Sequence, residues 1–205
     1  MNPPDQSTIL NVCIVPDDRV ARTYVEISRS LESPDTLFVL GENKFAHMTA
    51  FMARFADSSI ESVVARVEQS LDQISRFQCE HTGYLITQGR YLEASYRKSA
   101  GLVGLHESLA VSLSPLRLNP GNPFEEGYFS PFTPQQRKNA QETGYDLAHE
   151  LFRPHVTLTR YREDGVPTFF PSLPRCELSF QARQVCVYKA DNDGAVYQLV
   201  RPIVI

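Results

Sequence analysis

Cysteine is scarce in this chain, and the four present, Cys13, Cys79, Cys176 and Cys186, share no C-x-x-C spacing. Each stands in or beside an apolar run, so we read them as reduced core thiols rather than as metal ligands or disulfide partners. No apolar run comes near the ~20 residues that a membrane-crossing helix needs. Met1-Asn2-Pro3-Pro4-Asp5 lacks a basic stretch followed by an apolar one and is not read as a signal peptide. An excess of positive charge is missing too. The net charge of −4 argues against a general polyanion binder, which needs a strongly basic face, and leaves room only for a local basic site. These absences lead us to expect a soluble cytoplasmic protein, a monomer with no membrane partner.

Hydrophobic residues make up 42% of the 205 positions, enough for a real core. Residues 8–15 are apolar and β-branched and predict a strand. Asp17 or Asp18 can cap a helix over 18–32, with Val20, Tyr24, Ile27 and Leu31 at helical spacing. A short strand is predicted at 37–40 and another at 45–54. Ser58-Ser59-Ile60-Glu61 has the spacing of a capping box and opens a helix to about Phe77. Strands near 78–87 and 90–97 precede a helix over 99–113, which Gly101 and Gly104 weaken. Residues 115–132, with four prolines, predict a long loop. Thr133-Pro134-Gln135-Gln136 caps a helix to about Leu151, and strands follow near 153–161, 178–189 and 195–204. The pattern is α+β or α/β, with sheets in two lobes around a cleft.

Two segments half the chain apart repeat one element. Phe45-Ala46-His47-Met48-Thr49-Ala50-Phe51 and Arg153-Pro154-His155-Val156-Thr157-Leu158-Thr159 each hold His and Thr two residues apart in an apolar strand. Strand side chains alternate, so His and Thr share a face. On that face we place Phe45, His47, Thr49 and Phe51 in one strand, and His155, Thr157, Thr159 and Tyr161 in the other. Five His and 28 Ser and Thr give about 0.7 His-x-Ser/Thr matches by chance. A third match, His106-Glu107-Ser108, lies in a predicted helix, where positions two apart diverge, and is set aside. A buried polar strand face is costly against a closed core and costs little along a cleft that holds a polar ligand. Two imidazoles and two hydroxyls across such a cleft can bind a phosphate and move protons on and off it.

The chain resembles the 2H phosphoesterase superfamily, which includes the LigT-type bacterial 2′-5′ RNA ligases and cyclic nucleotide phosphodiesterases. Phe152 to Arg160 is very like the second family motif, and Lys44 to Phe51 matches the first more loosely, with alanines where larger apolar residues are common. The resemblance implies one α+β domain over 1–205, with two lobes of antiparallel-rich sheets and flanking helices around a central cleft. Residues 115–150 then form a variable loop and helix.

The resemblance also implies cofactor-free, metal-free RNA processing: hydrolysis or transesterification of a 2′,3′-cyclic phosphate or 2′-5′ linkage on an RNA end or nucleotide. His155 is assigned as general base and His47 as general acid, exchanging roles in the ligating direction. Thr49 and Thr157 donate to the non-bridging phosphate oxygens. Phe51, Tyr84 and Tyr161 are candidate base-stacking residues. Arg160 and Arg162 are candidates for a second phosphate, although simple alternation points Arg160 away from His155 unless a bulge re-aims it. Tyr91 is assigned to the core. Two alternatives stand beside this: a non-catalytic RNA- or nucleotide-binding module of the same fold, and an α+β interaction protein with structural His.

Overall fold

In the computed structural model, residues 6–41, 43–118, 132–162, 165, 173, 177–191 and 194–205 are described. Strands β1 (Ser7–Ile14), β2 (Met48–Ala56), β8 (Gln184–Ala190) and β9 (Val196–Val204) form an antiparallel sheet in the order β2-β1-β8-β9. A second antiparallel sheet joins β4 (His81–Ile86), β5 (Tyr91–Tyr96) and β6 (His155–Arg160). β3 (Phe77–Cys79) and β7 (Phe180–Ala182) form a separate pair. Four α-helices flank them: α1 (Asp18–Ser30), α2 (Ile60–Leu71), α3 (Ala100–Leu113) and α4 (Pro134–Thr143). The edge strands β2 and β6 lie next to one another. This is the α+β architecture expected from the sequence.

Local chemistry explains most of the boundaries. The Asp17 side chain accepts from Val20 N–H at the start of α1, and Val20, Tyr24 and Ile27 point into the core. Ser99 caps α3, and Thr133 with Gln136 closes a full capping box on α4. Three expectations need correction. The Ser58–Glu61 capping box does not form; a 3-10 turn at Asp57–Ser59 leads into α2, and the Ser59 hydroxyl donates to the Ala56 carbonyl. The helix predicted to reach Leu151 ends at Thr143, because Gly144 turns left-handed at φ 85°. The strand predicted at 37–40 is irregular: Leu37 N–H donates to the Arg160 carbonyl and Leu40 N–H to the Ser28 hydroxyl, so no ladder is needed there. Most of the loop at 115–132 lies outside the described residues. Cys13, Cys79 and Cys186 are buried free thiols, with burial raising Cys79 to about 12 and Cys186 to about 11; Cys176 lies outside the described residues.

Both strands that carry a His-x-Thr element break their ladder just after the Thr. In β2, Val12 pairs with Phe51 and Cys13 with Thr49, which leaves Ala50 over. In β6, Leu92 pairs with Thr159 and Glu93 with Thr157, which leaves Leu158 over. Each is a β-bulge, and each frees a carbonyl that must find a donor. His106 Nδ1–H on α3 donates to Ala50 O at 2.6 Å, and the Ser28 hydroxyl on α1 donates to Leu158 O at 2.7 Å. The His106 ring is fully buried, stacks on Phe152 at 4.1 Å, and accepts at Nε2 from His149 N–H at 2.9 Å. One nitrogen donates and the other accepts, so this imidazole is neutral. Burial pushes its pKa below the ordinary imidazole value, with the bond to the Ala50 carbonyl opposing.

Two outcomes follow for stability. A Cβ at Gly101 would lie 2.6 Å from Phe77 Cγ and 2.7 Å from its Cβ. Gly101→Ala gains up to ~1 kcal/mol of helix propensity but forces an overpacking that costs about 1–3 kcal/mol. A net loss, read as a lower urea midpoint, is expected. As pH falls below the ~6.5 of an unfolded imidazole, the unfolded chain binds a proton that folded His106 refuses. Its contribution is therefore present above that pH and lost as pH falls through the folded value. The urea midpoint should drop between pH 7 and 5, and His106→Asn should lower the midpoint throughout while flattening that slope.

Candidate active site

The two bulges decide which side chains meet in a cleft of about 640 Å³ between the sheets. His47 stands one residue before β2, and His155 opens β6. Each Nδ1 is tied to the backbone two residues back: His47 to Phe45 O at 2.9 Å, His155 to Arg153 O at 2.7 Å. A carbonyl can only accept, so both rings carry hydrogen on Nδ1 and leave Nε2 for other work. Both imidazoles line the cleft together with Thr49 and Thr157. The second alternative from the sequence, His sealed in packed hydrocarbon, does not describe them.

Past each bulge the facing side changes. Three residues after the Thr, Met52 and Arg160 line the cleft. Arg160 is therefore re-aimed toward the site, its guanidinium 4.5 Å over the Tyr91 ring and its Nε donating to Gly89 O at 3.3 Å. The same shift corrects several expectations. Phe51 is fully buried on the core side, edge-on to Tyr145 at 6.1 Å, and is no stacking platform. Thr159 turns away and donates to Phe38 O. Tyr161 is buried in the core and bridges to Thr36. Tyr84, on β4, is not among the cleft-lining residues and packs against His81 at 4.9 Å. Arg162 donates to Pro34 O outside the cleft.

The two halves differ in charge. Beside His155 stands Glu93, 2% exposed, in a two-pronged ion pair with Arg153, and Glu93 Oε1 lies 3.6 Å from His155 Nε2. A proton on that nitrogen has a carboxylate next to it. His47 has no such partner among the described residues. Burial lowers its pKa, the Phe45 carbonyl opposes, and the nearby charges of His155 and Lys44 lower it further, with Asp191 opposing. Neutral His47 therefore keeps a lone pair on Nε2.

Glu93, Arg153, Lys44, Tyr91 and Met52 line the cleft, and sequence reasoning did not assign them to the site. Two signals were available: Arg153 adjoins the second motif, and Glu93 is the lone carboxylate in the otherwise uncharged stretch Tyr91–Tyr96. Leu37, Phe38, Leu40 and Phe45 add apolar lining to the cleft, and Lys44 Nζ stands 5.0 Å over the Phe38 ring. Among the described residues, no group of three His, Cys, Asp or Glu side chains could hold a metal ion. His149 pairs instead with Glu107 at 2.8 Å.

No protein-family model and no curated protein matches the chain. Solved structures do. E. coli LigT, crystallised with 3′-AMP, is 11% identical and aligns over 98% of this chain and 99% of its own, with a TM-score of 0.67. A protein described as a phosphoesterase is 14% identical over 98% and 99%, also at 0.67. TT0787 of Thermus thermophilus is 17% identical over 96% and 97%, at 0.63. Over nearly its whole length, then, the chain has the fold of E. coli LigT.

Proposed function

We propose that this protein is a metal-independent phosphodiesterase of the 2H type, acting on a 2′,3′-cyclic phosphate or a 2′-5′ linkage of an RNA end or nucleotide. One observation carries the proposal: two imidazoles, each held through Nδ1 by the carbonyl two residues back, line one cleft with a Thr hydroxyl accompanying each. In-line displacement at phosphorus needs a proton taken on one side and given on the other. The charge asymmetry supports assigning the sides opposite to the assignment made from sequence. Neutral His47 accepts the proton of the attacking water at Nε2. His155, whose Nε2 lies 3.6 Å from the Glu93 carboxylate, donates to the leaving oxygen.

Thr49 and Thr157 donate to the non-bridging oxygens as these gain charge, and Arg160 supplies the nearest re-aimed cation. The apolar lining from Leu37, Phe38, Leu40 and Phe45 suits a nucleobase, in place of the Phe51, Tyr84 and Tyr161 expected from sequence. That E. coli LigT binds 3′-AMP and phosphate in crystals supports this use of the fold, since 3′-AMP has the form left when a 2′,3′-cyclic phosphate opens.

The test is turnover of 2′,3′-cyclic nucleotides and 2′-5′ dinucleotides in excess chelator. Activity should persist, and His47→Ala and His155→Ala should each lose at least ~10²-fold in kcat. Full activity in either variant removes the acid–base roles; loss on chelation assigns the chemistry to a metal. The kcat/KM profile should be bell-shaped, with an acid limb below pH ~6.5 where His47 gains a proton and stops acting as base. His47→Ala should abolish that limb.

A further inference from the structure

Asn11 sits in β1 between Leu10 and Val12, both fully buried, and its own side chain is 0% exposed. It pairs with Met52 across the ladder, so it projects to the cleft side of the sheet. Its Nδ2 has three neighbours: Thr49 Oγ1 at 2.9 Å, Gly194 O at 3.4 Å and Met52 Sδ at 3.7 Å. Its Oδ1 is buried and has no hydrogen-bond partner.

A side-chain amide can be turned over to exchange nitrogen and oxygen, and here the neighbours decide. A carbonyl oxygen and a thioether sulfur accept and never donate. Turning the amide would set Oδ1 against both of them, so Nδ2 must face this cluster. The Thr49 oxygen then accepts from Nδ2, and its own hydrogen is left to give. Among the described residues no protein group takes that hydrogen. A buried acceptor without a partner is a cost that leucine at this position would avoid. The offset has to come from what the donors do.

We infer that Asn11 is a positioning residue that holds Thr49 as an acceptor toward the protein and so as a donor toward the cleft, building a preset contact for one oxygen of a phosphate group beside His47. This rests on the phosphoester function proposed above and extends it to a residue that touches neither substrate nor reacting atoms. The hydroxyl of the counterpart Thr157 has no protein hydrogen-bond partner among the described residues, so it is free to turn. The anion contact is thus preorganised on the His47 side and adjustable on the His155 side. Preorganised donors act without reorientation during the reaction, which is where such contacts gain their effect.

The experiment compares wild type with Asn11→Leu, Asn11→Asp, Thr49→Val and the two double variants. Affinity for inorganic phosphate and kcat/KM on a 2′,3′-cyclic nucleotide are measured, with circular dichroism to confirm folding. Thr49→Val should cost about 10²-fold in kcat/KM. Asn11→Asp should cost about as much, because a carboxylate takes the Thr49 hydrogen for itself. Asn11→Leu, which adds no buried charge and serves if the Asp variant fails to fold, should cost about 10-fold, chiefly in kcat. In the Thr49→Val background neither Asn11 change should add more than about 3-fold. The Asn11 side-chain amide protons should also exchange slowly with solvent and shift in Thr49→Val. Effects that multiply independently, or amide resonances indifferent to Thr49→Val, overturn the inference while wild-type turnover stands. A wild type that neither turns over nor binds phosphate overturns the phosphoester function and this inference together.

Discussion

A carbonyl displaced from a β-ladder has to find a donor, and in this protein two such carbonyls find theirs on helices. Ala50 O takes the Nδ1 hydrogen of His106, and Leu158 O takes the hydroxyl hydrogen of Ser28. Without those bonds each bulge would leave a buried acceptor unsatisfied, at a cost of about 1–3 kcal/mol. With them the bulges persist, and the chain changes face just beyond each His-x-Thr element. Met52 and Arg160 swing into the cleft while Phe51 and Thr159 swing out of it. The composition of the site depends on those two helix-to-strand contacts as much as on the His and Thr themselves.

The arrangement repeats while its charges do not. Each half offers a His held through Nδ1, a Thr, and a residue delivered by the bulge. The His47 half has Asn11 and Met52, with the charges of Lys44 and Asp191 acting on its imidazole. The His155 half has Glu93, Arg153 and Arg160. A symmetric scaffold with unsymmetric polarity suits a reaction whose two proton transfers run in opposite directions. Burial lowers the pKa of the His47 imidazole, and a buried carboxylate stands 3.6 Å from the Nε2 of the other.

Much of the fold could be read from the chain. Asp17, Ser99 and Thr133 announce three helix starts with cap chemistry that the structure contains. The β-branched and apolar run over 8–15 marks a strand, and the structure buries both faces of it from Ile9 to Ile14. Failures came where a non-local partner outweighed local propensity. Ser28, from a helix, takes the amide of Leu40 that a strand at 37–40 would have used. Gly144 ends α4 where the apolar pattern ran on toward Leu151. In the site, the reading failed from the second residue past each Thr, because strict period-two alternation holds only while a ladder is unbroken.

By itself the sequence determined the candidate reacting groups. His47, Thr49, His155 and Thr157 follow from two short segments in which alternation over two positions puts imidazole and hydroxyl on one side, a local rule that needs no knowledge of partners. Only the tertiary structure decided what surrounds them. Glu93, Tyr91 and the re-aimed Arg160 reach the cleft, and Asn11 reaches Thr49 behind it, through strand registers, two bulges and helix contacts between residues far apart in the chain. A bulge adds one residue and inverts every face beyond it, and whether it forms depends on a donor that sits tens of residues away.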